Sequence, residues 1–433
     1  MNAKTSLLPL DIPTLRAAVE SHRDESVDLL LKLVSFPSLV GREQPAQAFV
    51  RDTFESLGLQ LDEFEVDQNT LETHPAWSPG SMDYAGRPNV VGIHRPRFGE
   101  SGRSLILNGH IDVVPVGDER LWTRPPFEPY VSNGQVFGRG SADMKAGITA
   151  FIMAWKILRE LGLEPAAPVY LQSVIEEECT GNGALSCLVR GYTADAAIIP
   201  EPTSLRVMDA QMGVIWLELE VSGKPAHAAF SEKGGSAISM SFDLFAALKE
   251  LEGRQNAPQC RHARYADHFN PVKFNLGTIE GGEWTSSVAT NCRSTIRVGT
   301  YPGTTVEQAI AAIREALDHA LEHHANREIF SYTLSEVGFR AEGFALDHDI
   351  PLIAELRRCH HEVLHGEAGM MAFTGTTDAK FFNLYGETPA VCYGPGGENT
   401  HGIDESVAID ELLDSITVIA WFIVNWCKCN PIK

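Results

Sequence analysis

The chain has 433 residues, 44% of them hydrophobic and 21% charged, and its 35 Lys and Arg stand against 57 Asp and Glu, a formal net charge of −22. That length exceeds one ordinary core and sets two domains as the expectation. The acid excess argues against nucleic acid and anionic membrane surfaces as partners, and is otherwise a solubility feature, not the mark of a cationic substrate.

Residues Met1–Leu10 carry one Lys and too short an apolar run for a signal peptide. No apolar run reaches the ~18 residues of a membrane span; Ile416 to Trp426 reads as a core helix. Eight scattered cysteines, with no C-x-x-C pair, fit reduced thiols in a cytoplasmic protein.

In chain order, Ile12 to Val34 reads as one amphipathic helix and Gln44 to Leu57 as a second, capped by Gly58. Leu59–Val66, Asn89–His94 and Ser104–Val114 read as strands, with an irregular stretch over 68–87. Lys145–Leu161 is a helix, Val169–Glu176 a strand, Gly183–Gly191 helical and Ala194–Pro200 a short buried strand. This alternation predicts an α/β layered sheet. From Val214 the texture changes. Strand Trp216–Val221, helix Gly235–Leu251, strands Val272–Ile279 and Thr290–Gly299, helix Thr304–His324 and strand Ile329–Glu336 follow the ferredoxin-like order. The expected division is a first domain over 1–211, an inserted second domain over 212–335, and a return to the first over 336–433, with Val391–Gly394 as a strand.

Five stretches carry chemistry. In Leu105–Pro115 an apolar strand ends in His110-Ile111-Asp112. Residues two apart on an extended segment share a face, so the Asp112 carboxylate is placed to orient the ring of a metal-binding His110. A chance His and Asp at a strand end is the bland alternative. Asp143 lies in the glycine-lined loop Gly138–Lys145 before a helix, where a capping Asp is also common. Glu176-Glu177-Glu178 follows a strand; three adjacent carboxylates suit a solvated loop or a dication. Glu201 sits between two prolines after a buried strand, and His401 lies in the loop 395–405. Together these supply two His and several carboxylates at strand ends, where open α/β sheets bind ligands. The mixed N/O set suits Zn²⁺, with Co²⁺ or Mn²⁺ as substitutes. A bridging carboxylate would hold two ions about 3.5–4 Å apart and lower the pKa of a shared water toward ~7. That water needs a base, and Glu177 and Glu178 can divide the work, one facing metal and one facing water.

These residues resemble the zinc amidohydrolase and exopeptidase family that contains acetylornithine deacetylase, succinyl-diaminopimelate desuccinylase, carboxypeptidase G2 and the aminoacylases. The resemblance covers essentially the whole chain in order. It implies a mixed-sheet α/β/α zinc-exopeptidase-like catalytic domain with an inserted ferredoxin-like α+β lid and dimerisation domain. It implies His110, Asp143, Glu178, Glu201 and His401 as ligands of two Zn²⁺, with Asp143 bridging, and Asp112 as the orienting partner of His110. Glu177 takes the place of the general base, and Glu176 stands where the family has Asp. A cis peptide is implied between Asp143 and Met144.

Gly223–Ala228 resembles the family's G-x-x-A-H segment, which implies that His227 reaches the partner subunit's active site in a homodimer and stabilises the oxyanion. Gly281–Trp284, Ser287-Val288 and Arg297 resemble the segment shaping a substrate carboxylate pocket, although Ala289-Thr290 stands where a proline is usual. Thr374–Asp378 resembles a Gly-Thr-Asp loop lining the substrate, which assigns substrate contacts to Gly375 and Thr376. The activity implied is hydrolysis of a small-molecule amide, an N-acyl amino acid first. The alternatives are a dipeptidase or carboxypeptidase, a deformylase of a non-amino-acid amide, or a catalytically silent metal-binding homologue.

Overall fold

The computed structural model describes residues 10–80, 82–97 and 101–432. Apart from Leu10, the segment read for a signal peptide lies outside the described residues. Among those residues no helix is long and apolar enough to cross a membrane.

The main sheet is mixed. Strand Gln60–Glu65 pairs antiparallel with Pro88–His94, which pairs antiparallel with Val169–Val174. Leu105–His110 lies parallel between Val169–Val174 and Ala197–Ile199, and Ala390–Cys392 continues parallel beside Ala197–Ile199. Val207–Gln211 then pairs with Ala390–Cys392 and Phe344–Ala345 antiparallel and with Met370–Phe373 parallel. Side chains alternate across a strand, and here both faces are buried. Leu105 and Leu107 join one apolar cluster with the helices Ala146–Glu160 and Ile409–Trp426; Ile106 between them joins another with Phe382 of the helix Ala379–Tyr385. Val391, flanked by Ala390 and Cys392, divides the same way. Helices therefore cover both faces, which is why these strands read as unbroken apolar runs.

Two local expectations change. The helix expected over 12–34 is two, Ile12–Ser21 and Arg23–Val34, because His22 leaves helical space and its ring turns to the Ala18 carbonyl and Glu160. The strand expected to reach Val114 ends at His110, its last ladder partner being Val174.

The second unit is built as the sequence order predicts. Gly213–Ser222, Phe274–Gly281, Asn291–Thr300 and Ser331–Ala341 form an antiparallel sheet, with Phe274–Gly281 and Ser331–Ala341 at the edges. Its helices are Ala237–Gln255 and Val306–Glu322, the latter opened by a capping box between Thr305 and Gln308. The buried residues of its core run from Met212 to Leu334, separate from those under the main sheet. The last strand continues past the expected boundary at 335 to Ala341.

Candidate metal and active site

The motif residues converge where the central strands end. His110 closes its strand, Glu177 and Glu178 follow Val169–Val174, and Glu201 follows Ala197–Ile199. Gly147 has no side chain for a reason: a Cβ there would lie 2.1 Å from the Pro200 carbonyl oxygen, so only glycine lets the first turn of the helix pass under the Glu201 loop.

Asp143 is the centre. Its Oδ1 lies 3.1 Å from His110 Nε2, and its Oδ2 lies 3.3 Å from His401 Nε2. Each oxygen of one carboxylate thus faces a different histidine. Glu201 Oε2 is 3.9 Å from His110 Nε2, and Glu178 Oε2 is 3.1 Å from His401 Nε2. The donors divide into His110, Glu201 and one Asp143 oxygen, and His401, Glu178 and the other. Ligand atoms of His110, Asp143 and Glu178 lie within 4.8 Å of one another. The Asp143–Met144 peptide is cis.

The electrostatics match a cation site. Burial pushes Glu178 up to about 7 and Glu177 up to about 8, with the neighbouring carboxylates adding to burial in both. Burial also works against a charged His401, but hydrogen bonds to Asp143 and Glu178 outweigh it and lift it to about 11. Burial opposes ionisation of Asp143 too, yet the two histidines hold it below the ordinary carboxylate range. Oε1 of both Glu177 and Glu178 is buried without a hydrogen-bond partner. Crowded acids, two imidazoles and two orphaned carboxylate oxygens fit divalent cations.

Asp112 departs from its expected contact. His110 Nδ1 lies 2.9 Å from the Asp112 carbonyl oxygen, while the nearest carboxylate oxygen is 3.7 Å away. The strand has ended at His110, so the turning chain presents its carbonyl to the ring. A proton on Nδ1 leaves Nε2 as the metal-facing nitrogen. The Asp112 carboxylate instead accepts the backbone N–H groups of Glu177 (3.1 Å) and Glu178 (3.0 Å).

A second carboxylate of this kind was not singled out from the sequence. Buried Glu405, four residues past His401, accepts from the backbone N–H groups of Ala142 and Asp143 (3.0 Å each) and Gly140 (3.1 Å) and from Arg139 Nη1 (2.5 Å). The only sequence signal was its place in the His401 loop. Glu176, in the position of the usual Asp, uses its longer side chain to receive Tyr84, Thr180 and Arg87 hydrogen bonds, and Arg87 also forks onto Glu43.

A cavity of about 340 Å³ opens on the cluster. Thr376 lines it, next to Met208, Met371 and Phe373, which the sequence did not single out. Gly375 lies behind, against the Phe373 ring. Arg297 does not line the cavity; its Nη2 donates to the Thr374 carbonyl at 3.2 Å, and it has no carboxylate partner among the described residues. His227 is exposed on the second unit, its Nδ1 accepting the Ala229 N–H, and is not among the residues lining this cavity.

A family model described as peptidase family M20/M25/M40 matches residues 106–425. Two relatives are named N-formyl-4-amino-5-aminomethyl-2-methylpyrimidine deformylase. The one from Bacillus subtilis is 31% identical, covering 96% of this chain and 98% of its own. The one from Halalkalibacterium halodurans is 30% identical, covering 96% and 97%. Among solved structures, the di-peptidase Dug1p from Saccharomyces cerevisiae aligns with a TM-score of 0.79 over 97% of this chain and 99% of that one, at 11% identity, a likeness of fold.

Proposed function

The chain belongs to peptidase family M20/M25/M40 and is a metal-dependent hydrolase of amide C–N bonds; from that premise we propose that it removes a formyl group from a non-amino-acid amine, with two Zn²⁺ as its resident metal. The observation that carries the metal assignment is Asp143, whose two oxygens face two different histidines. His110, Glu201 and Asp143 would hold one cation; His401, Glu178 and Asp143 the other. When bound, such a pair supplies Lewis acidity to the carbonyl and acidifies the attacking water toward pKa ~7.

Glu177 takes the proton from that water and gives it to the leaving nitrogen as the C–N bond breaks, yielding formate and a free amine. Its buried Oε1 has no other partner among the described residues. Asp112 sets the base by holding its backbone N–H. The formyl assignment draws on the two relatives and on the cavity wall, where no Lys or Arg among the described residues meets a substrate carboxylate. A second reading, an N-acyl amino acid, is favoured by one observation: Arg297 has no acidic partner among those residues and sits against the Thr374 loop.

We assign the active form as a homodimer in which His227 of each subunit completes the other's oxyanion site, with Arg297, Gly375 and Thr376 beside the substrate. The support is the exposed edge strand Phe274–Gly281 together with exposed Ile279, Phe242, Phe230 and Trp284. Eight free cysteines support a cytoplasmic setting.

The test is release of acid and amine from N-formyl amines, N-formyl and N-acetyl amino acids and dipeptides, using metal-stripped protein with and without added Zn²⁺ or Co²⁺. Metal-dependent formate release from formamides lacking a carboxylate is expected. Turnover confined to acyl amino acids or peptides overturns the formyl-amine reading.

A further inference from the structure

We propose that the wall formed by Met208, Met371 and Phe373 is the leaving-amine subsite and that it selects a flat, uncharged aromatic ring. The inference rests on the deformylase reading, because a formyl group occupies little space and leaves the cavity of about 340 Å³ to the amine.

The three side chains are brought together by register. Met371 lies directly opposite Met208 in the parallel pair of Met370–Phe373 with Val207–Gln211. Phe373 is two residues beyond Met371 on the same strand, so it shares that face. All three border the cavity that holds Asp143, Glu177 and Glu178. Asp209, the next residue after Met208, points elsewhere and pairs with Arg264 at 2.8 Å and His348 at 2.7 Å. The ladder shifts register there, passing from the Met208–Met371 pair to Ala210–Ala372, so the skipped Asp209 turns away while the Met208 thioether faces the cavity.

The backbone that carries the Phe373 ring is fixed in place. Its carbonyl accepts hydrogen bonds from Tyr265 (3.0 Å) and from the Met212 N–H (3.1 Å). Gly375 closes over it: a Cβ there would lie 2.4 Å from the ring, so glycine is what allows the Thr374–Asp378 loop to fold onto the phenylalanine. Met208 is buried, whereas Met371 and Phe373 are half-buried and open to a ligand.

Two polarizable thioethers and an aromatic face favour a π-system over an aliphatic group of equal size. The hydroxyl-bearing Thr376 and Thr377 complete the wall, and no Lys or Arg among the described residues lines it. A ring with hydrogen-bonding edges therefore fits, and an anionic amine does not.

The experiment compares N-formylbenzylamine with N-formyl(cyclohexylmethyl)amine, which match in length and differ in aromaticity, on zinc-loaded protein. The expected kcat/KM ratio is about tenfold in favour of the aromatic substrate. Phe373→Leu, which keeps an apolar side chain, brings the ratio close to one at unchanged zinc content. Cleavage of both formamides at equal rates by the wild type overturns the subsite and leaves the deformylase reading standing, as does an unchanged ratio in F373L. If neither formamide releases formate, the deformylase reading falls, and calorimetry with benzylamine and cyclohexylmethylamine on the zinc-loaded protein judges the subsite by itself. Tighter benzylamine binding that Phe373→Leu abolishes supports it; equal binding of the two amines overturns it.

Discussion

Glu405→Gln isolates a contact that holds a candidate ligand without touching the cation. The side chain is fully buried and its two oxygens serve four donors: Ala142 N–H and Asp143 N–H on one, Gly140 N–H and Arg139 on the other. Glutamine keeps the shape but turns one oxygen into an NH₂ group. Whichever way the amide is placed, two buried donors lose their acceptor, at about 1–3 kcal/mol each. Arg139 retains the Gly402 carbonyl at 2.9 Å and the face of Trp122, but not its counter-charge. Removing one partner of a buried ion pair costs about 3–5 kcal/mol. These costs share atoms and do not add, so about 3–5 kcal/mol is expected for the whole change.

Because two of the donors flank and include Asp143, the bridging position should loosen with the fold. Outer hydrogen-bond partners of metal ligands typically contribute 10- to 100-fold in affinity. The assay is urea unfolding of metal-stripped protein, paired with zinc affinity measured under conditions where the variant is fully folded. Lost stability with wild-type zinc affinity would reduce Glu405 to a structural ion pair. Wild-type values for both would refute the hydrogen-bond argument outright.

Glu177→Ala should lower kcat by about 10²–10⁴-fold while zinc content stays near that of the wild type; equal turnover in the variant removes Glu177 from the proton transfer. His227→Ala should lose kcat with its metals in place. Mixing it with Glu177→Ala should restore part of the activity through hybrid dimers, and no restoration counts against a histidine acting across the interface. Metal binding should release protons, since Glu178 at about 7 and His401 at about 11 must both give theirs up. Apparent zinc affinity, followed by calorimetry in buffers of different ionisation enthalpy, should therefore rise between about pH 6 and pH 8; affinity that is flat or falls over that range contradicts the assignment of these two groups.

The central strands were legible because burial on both faces leaves an unmistakable apolar run, as in Ala197–Ile199 and Leu105–Leu107. The ferredoxin-like order was legible because each helix and strand carries its own period. The break at His22 was not, since apolar spacing runs through it and the contacts that accompany the turn are side-chain ones, to the Ala18 carbonyl and to Glu160, far along the chain. That these histidines and carboxylates would gather could be read from strand ends, but the Asp112 contact could not. Periodicity of two assumes that the strand persists, and the chain turned two residues early. The Met208–Met371–Phe373 wall left no trace either, because a strand residue facing a cavity and one facing a core have the same composition. Their juxtaposition depends on pairing between strands over 150 residues apart in sequence, a quantity fixed by topology.

The two supporting carboxylates follow one design. His110 is followed by Asp112, whose side chain grips the consecutive N–H groups of Glu177 and Glu178. His401 is followed by Glu405, whose side chain grips those of Ala142 and Asp143. Each histidine segment therefore anchors the backbone of an acidic segment from another part of the chain. This arrangement answers a physical difficulty. Four carboxylates crowded beside two imidazoles repel one another, and flexible loops would relax that repulsion by moving apart. Backbone N–H groups bound to buried carboxylates deny them that freedom; burial first, and the confined neighbouring carboxylates after it, raise the pKa values of Glu177 and Glu178. On the proposed two-metal reading, cation binding would remove a repulsion that the fold has already confined, and these loops would need little ordering. Weakening either grip should thus reduce metal affinity even though neither Asp112 nor Glu405 is placed as a ligand.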